Sequence, residues 1–340
     1  MERTPWAQQL LGLRRAQELS LGDGVTVGIV DTGVDAGAAG LKGRSAGDGK
    51  RDCVGHGTFA AGIVAGGRRD GVGLVGVAPR ARVFGVRATT AEGSTDADAI
   101  AAGVDAAVRG GSDVVLVSVA YGASSKRLRA AVAAAVKKDV VVVAPAAGGP
   151  QSSAAAYPAA LPGVVGVAAV GVDGGPYPTG RKALSSPPDL VAPGDRVVGA
   201  GPGGGHFVGG GDAVAAAFVA GTAALVRAHD PSLSARAVVE RLRATAVRAD
   251  GTVPDPLAGY GLVDPAEAVS GIAVDEPSPG AVARAGANDS YRVPERPRVM
   301  SGRTAWVVAG GAAFLAVIAV ALGVVVPRGR ARGWRAGGLG

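Results

Sequence analysis

The stretch VGIVDTGVD at residues 27–35 decides the fold. An apolar run ends abruptly on Asp31 and a glycine turn follows it. That is how a strand buried on both faces hands a polar side chain to the carboxyl edge of a parallel sheet, where α/β folds place their ligands. The same pattern recurs outward from it. Apolar runs at 81–86, 114–118, 140–144 and 164–170 read as strands. Helix-period stretches at 56–65, 96–109, 125–137, 213–228 and 234–244 read as helices. Strands that are apolar throughout and alternate with helices predict a three-layer α/β domain, its mostly parallel sheet covered by helices on both faces.

Composition narrows the classes. The chain has 340 residues, of which 48% are hydrophobic and 57 are glycine, which suits an apolar core with many tight turns. Its net charge is +7, but the arginines are scattered and not interleaved with aromatics, so nucleic acid is not an expected partner. The three histidines, His56, His206 and His229, have no ligand-like spacing, and no metal or other cofactor is expected. Cys53 is the only cysteine and cannot form an intrachain disulfide; a buried, inert thiol is the simplest reading.

The amino terminus lacks the cationic and apolar regions of a signal peptide. Near the other end, WVVAGGAAFLAVIAVALGVVV at 306–326 carries no charge and as a helix would span about 30 Å, one membrane crossing. Arg292, Arg296, Arg298 and Arg303 precede it, and Arg328, Arg330, Arg332 and Arg335 follow it, so charge does not set its orientation. The expected organisation is an N-terminal extension at 1–20, a catalytic-type domain at 21–272, a proline- and arginine-containing linker at 273–304, a transmembrane helix at 305–326 and a basic tail at 327–340.

Two further segments carry chemistry. DCVGHGTFAAG at 52–62 places His56 at the head of a helix between glycines. GGGDAVAAAFVAG at 209–221 is a glycine-rich turn running into a helix, with Ala213 at its head. Alone, Asp31 is as much a turn cap as an imidazole acceptor, and a histidine opening a helix is more often structural than catalytic. Together they describe an acid that could hold the tautomer of a base.

The order of the three motifs resembles that of the subtilisin-like serine proteases. Finer features resemble the mycosins, membrane-anchored subtilases of actinobacterial type VII secretion loci. These are PWAQQLLGL at 5–13, the Asp52-Cys53 run before His56, VAGTAALVR at 219–227 and the terminal anchor. The alanine-, glycine- and arginine-rich composition fits such a source. The resemblance makes Asp31 the triad acid and His56 its base. It makes Ser118, Val119, Ala120, Tyr121 and Gly122 the segment that pairs with substrate backbone.

The departures from the family weigh more. The family's Gly-Thr-Ser-x-Ala-Ala-Pro would fall on residues 211–217, where Thr, Ser and Pro are replaced by Asp212, Ala213 and Ala217. No serine or threonine occurs from Pro187 through Gly221, so no shift of alignment supplies a nucleophile. The oxyanion-hole asparagine falls on Gly149, which has no side-chain amide. Asp212 would add a negative charge beside the oxyanion. The mycosin cysteine at Cys53 would pair elsewhere, yet no partner exists in this chain.

The resulting expectation is a membrane-anchored pseudoprotease of the cell membrane, its domain extracytoplasmic, acting as a scaffold or peptide binder. Its expected partners are type VII secretion membrane components or a secreted protein or peptide. The alternatives are an endopeptidase in which His56 activates a water held between itself and Asp31, and a tail-anchored cytosolic adaptor.

Overall fold

The computed structural model describes residues 3–49, 51–148, 154–248, 253–271, 327–328 and 331–333. The chain divides into two compact units, Met1–Asn288 and Asp289–Gly340. In the second, the described residues form only a short helical turn around Pro327 and Arg332. The segment read as a transmembrane helix lies outside the described residues, and among those described no helix is long and apolar enough to cross a membrane.

The first unit opens with two short helices, α1 (Trp6–Leu10) and α2 (Leu13–Leu19). The sheet-forming part follows as β1 (Thr26–Asp31), β2 (Ser45–Gly47), α3 (His56–Ala65), β3 (Arg82–Arg87), α4 (Ala97–Arg109), β4 (Val114–Val117), α5 (Lys126–Lys137), β5 (Val141–Pro145), β6 (Val164–Val170) and β7 (Leu190–Pro193). A hairpin, β8 (Val197–Ala200) and β9 (His206–Gly209), leads into α6 (Asp212–His229), then α7 (Ala235–Ala244) and α8 (Pro265–Ser270).

Seven strands form one parallel sheet in the order β2-β3-β1-β4-β5-β6-β7. Alternate residues of each strand feed the two faces. Val27, Ile29, Leu116, Val143 and Val165 point into the layer containing α3 and α6, while Val30, Val115, Val117 and Val142 point into the layer containing α4 and α5. Both faces are therefore dry, which is why the strands read as unbroken apolar runs instead of alternating ones. Helix α6 is buried from Val214 through Val226, and Gly221 lets it pass Val77, whose Cβ would lie 2.6 Å from a Cβ at that position.

The N-terminal helices are fastened to this body by side chains. The Gln8 amide donates to the Val75 carbonyl at 2.7 Å, Gln17 donates to that of Gly76 at 2.8 Å, and Arg15 pairs with Glu267 of α8 at 2.8 Å. The chain leaves β1 toward β2 and β3 on one side and leaves β4 toward β5 on the other, so the connections diverge between the carboxyl ends of β1 and β4. That switch point opens a crevice at Asp31.

Candidate functional site

Asp31 ends β1 and is fully buried. A bare carboxylate there would be costly, and the chain surrounds it with donors. The Thr32 N–H donates to Oδ1 at 2.6 Å, and the Ser118 hydroxyl makes a short hydrogen bond to Oδ2. The ring of His56, the first residue of α3, approaches through Nδ1, 2.7 Å from Oδ2 and 2.9 Å from Oδ1. Against an ionised carboxylate Nδ1 is the donor, which turns Nε2 toward the open cleft. The attraction of Asp31 raises the His56 pKa above its ordinary value; burial opposes this, and the hydrogen bond and the charge of Asp52 add to the rise. Acid and base meet directly, the geometry by which a carboxylate holds one imidazole tautomer.

The approach depends on Gly57. A Cβ there would fall 2.0 Å from the Gly33 carbonyl oxygen and 3.0 Å from the Asp31 Cβ. Asp52 fixes the loop that delivers the histidine. Its Oδ1 accepts from the Thr32 hydroxyl at 2.8 Å and from the N–H of Val54 and Gly55 at 3.1 and 2.7 Å. Its Oδ2 accepts from the Thr58 N–H and hydroxyl at 2.8 and 2.7 Å. Burial pushes the Asp52 carboxyl up, but these bonds outweigh it and hold the pKa below the ordinary value. Thr32 thus ties Asp31 and Asp52 into one network. The thiol between Asp52 and Val54 is not buried: Cys53 is exposed and free, because the turn aims Asp52 inward and its neighbour out.

Ala213 lies one residue into α6, and its methyl lines the same cleft as His56. The cleft has a volume of about 430 Å³ and is bounded by Thr32, Val54, Glu92, Ser118, Ala147 and Tyr177 among others. Among the described residues no lysine or arginine lines it. Its wall includes Ser118, Val119 and Ala120, but the Ser118 side chain faces inward to Asp31. Tyr121 and Gly122 are exposed beyond the cleft, and Tyr121 exchanges both backbone hydrogen bonds with Tyr157. Gly149 lies outside the described residues.

Asp212 is not the bare negative charge expected from the sequence. Arg181 reaches it with both terminal nitrogens, Nη1 to Oδ1 and Nη2 to Oδ2, each at 2.5 Å. The Ala169 N–H donates to Oδ1 at 2.9 Å and the Ala147 N–H to Oδ2 at 3.1 Å. The two side chains are only 3% and 7% exposed. Four donors occupy the carboxylate, so it has no free position from which to act as a base. The pair clamps three structures to the head of α6: the end of β5, strand β6 and the strap 177–181, whose Tyr177 and Pro178 line the cleft. Arg181 also donates to the Tyr177 carbonyl at 3.1 Å, and its buried Nε has no partner among the described residues.

Sequence reasoning did not single out Arg181, Thr32 or Thr58. Arg181 follows a Tyr-Pro turn, 31 residues from Asp212, with no periodicity to mark it. The one available signal was chemical: an aspartate inside an otherwise apolar buried helix must have a cation to meet. Among the described residues no group of three or more His, Cys, Asp or Glu side chains could hold a metal ion.

Residues 22–261 match the model of the subtilase family. The chain is 42% identical over 92 residues to Mycosin-1 of Mycobacterium tuberculosis, a match covering 25% of this chain and 21% of that protein. It is 35% identical over 234 residues to Subtilisin DY of Bacillus licheniformis, covering 66% of this chain and 84% of that one. Among solved structures it is similar to MycP1 with the N-terminal propeptide removed, at a TM-score of 0.69 and 29% identity, covering 81% of this chain and 99% of that one. It is also similar to the MycP3 protease from the type VII (ESX-3) secretion system, at a TM-score of 0.68 and 29% identity, covering 79% and 88%.

Proposed function

We propose, from the premise that the chain belongs to the subtilase family, that it is a mycosin-like pseudoprotease: a membrane-anchored scaffold or receptor for an extended peptide, working with a type VII-like secretion system. The observation that carries this reading is the head of α6. The cleft that presents His56 offers it a methyl group at Ala213, and the neighbouring Asp212 is sealed into a buried ion pair with Arg181. An alanine cannot attack a carbonyl. In subtilisin itself, losing the nucleophile costs about a million-fold in turnover. What remains is a cleft of peptide-binding size with a wall at 118–120 and no nucleophilic hydroxyl at position 213.

The membrane part of the proposal rests on the uncharged stretch 306–326. The secretion-system part rests on the likeness to MycP1 and MycP3. We propose further that the domain lies outside the cytoplasm, a reading motivated by the likeness to a protease from a type VII secretion system.

The test compares the full chain with its His56→Ala variant on an unstructured protein substrate and with a serine-reactive phosphonate probe. Both proteins are expected to turn over substrate at the same background rate and to take up no label. Cleavage by the natural chain that disappears with His56→Ala refutes the proposal. Resistance of the chain to carbonate extraction from membranes checks the anchor separately.

A further inference from the structure

Helix α5 carries five cations on or beside its outer face and no acidic residue: Lys126, Arg127 and Arg129 in its first turn, and Lys137 and Lys138 at its end. All five are exposed, and among the described residues none makes an ion pair. Three of the six lysines in the chain stand here. Cations in the last turn suit the helix dipole, but three in the first turn oppose it, so folding alone does not favour them there. The inner face is an ordinary seam of Leu128, Ala131, Val132 and Ala135 packed into the core. The outer face between the two basic ends is low: Ala130, Ala133 and Ala134, with Val136 beside them.

The neighbouring carboxylates offset this charge only in part, and none of them forms an ion pair with the five cations. Asp98 of α4 accepts from the Ser125 hydroxyl at 2.6 Å, Asp96 caps α4, Asp105 is half-buried, and Asp139 is taken by Arg227. The result is a helix face about 18 Å long with positive charge at both ends. A protein partner with a single acidic knob would engage one end only. A plane of negative charge engages both.

We infer that the outer face of α5 docks on an anionic phospholipid surface. The membrane anchor proposed above would supply such a surface at high effective concentration; the inference rests on that reading for its setting, not for its charge argument. Cations held near an anionic leaflet gain from its surface potential, and the gain disappears as salt shortens the Debye length.

The test reconstitutes the full chain in nanodiscs of phosphatidylcholine alone or of phosphatidylcholine with a third phosphatidylglycerol. An amine-reactive reagent is applied and labelling at each lysine is read by mass spectrometry. Labelling of Lys126, Lys137 and Lys138 is expected to slow about fivefold or more in the anionic discs, with Lys42 and Lys182 unchanged. The protection is lost in about 0.5 M salt. In a Lys126→Gln/Arg127→Gln/Arg129→Gln variant, Lys137 and Lys138 label at the neutral-disc rate. Equal labelling in the two kinds of disc overturns the inference, and so does protection that appears in neutral discs or only after an acidic protein is added. Co-elution with the neutral discs reads the anchor independently. A chain that binds only the anionic discs through α5 retains this inference and loses the anchor.

Discussion

Replacing Arg181 by methionine keeps the length of the side chain and removes both of its bonds to Asp212. The carboxylate then stays buried, 7% exposed, with only the N–H groups of Ala147 and Ala169 and the amino end of α6 to hold its charge. Breaking a buried pair by removing one partner costs about 3–5 kcal/mol. The two amides and the helix dipole, worth up to about 2 kcal/mol in buried geometry, keep the expected loss near the lower bound, about 3 kcal/mol. In a domain of this size that is a fall in Tm of about 6–12 °C, read by circular dichroism on the full chain in mild detergent. The companion variant Arg181→Met/Asp212→Thr removes both charges, and its stability is expected to return to within about 1 kcal/mol of the natural protein, because paired buried charges add little over neutral groups of similar shape. A loss below about 1 kcal/mol in the single variant, or a double variant less stable than the single, would refute the claim that this pair holds the rebuilt turn together.

Other outcomes follow from the same site. The His56 pKa is raised by Asp31, so the protonated ring is the form the fold favours. Stability from this contact is fully present below about pH 6.5 and is lost as pH rises through the folded value, which lies above it. A nuclear magnetic resonance titration of the three histidines should place His56 above 6.5 and His206, shifted down by burial and Arg69, below it; the reverse order would contradict the geometry. Gly57→Ala drives a Cβ to 2.0 Å from the Gly33 oxygen, a backbone clash that cannot relax cheaply, and should cost about 3 kcal/mol or more and abolish the raised His56 titration.

Most of the central sheet was legible because its physics is local. A run such as 27–30 is buried on both sides and so admits only apolar residues, and the run ends where a polar residue can first be tolerated. The helices at 97–109, 126–137 and 235–244 showed their inner faces through spacing alone. Strands β2 and β7 and the hairpin β8–β9 were not legible. Ser45–Gly47 has nothing apolar to read, Leu190–Pro193 is a four-residue run between prolines, and Phe207 and Val208 of the hairpin point into solvent, so burial never shaped them. In the site, Asp31 was visible because it ends an apolar run, and His56 because glycines bracket it. The donors around them were not, since Thr32, Ser118 and Thr58 are ordinary residues whose meaning comes from where the sheet puts them.

The Asp31–His56 contact is therefore poor grounds for inferring catalysis. A fully buried carboxylate already holds the Thr32 N–H and the Ser118 hydroxyl, and deleting it would orphan both donors. Asp52 links the same threonine to the loop that starts α3, so the network stabilises the switch point whether or not a reaction follows. Its persistence needs no catalytic explanation. Residues 212 and 213 are different. A carboxylate at the head of α6 takes the Ala169 N–H of the sheet, and an arginine 31 residues away meets its charge. A site that had merely lost its nucleophile would leave the turn otherwise unchanged. This turn has a buried partner set of its own, and the proposal of a peptide-holding cleft leans on that pair and not on the Asp31–His56 contact.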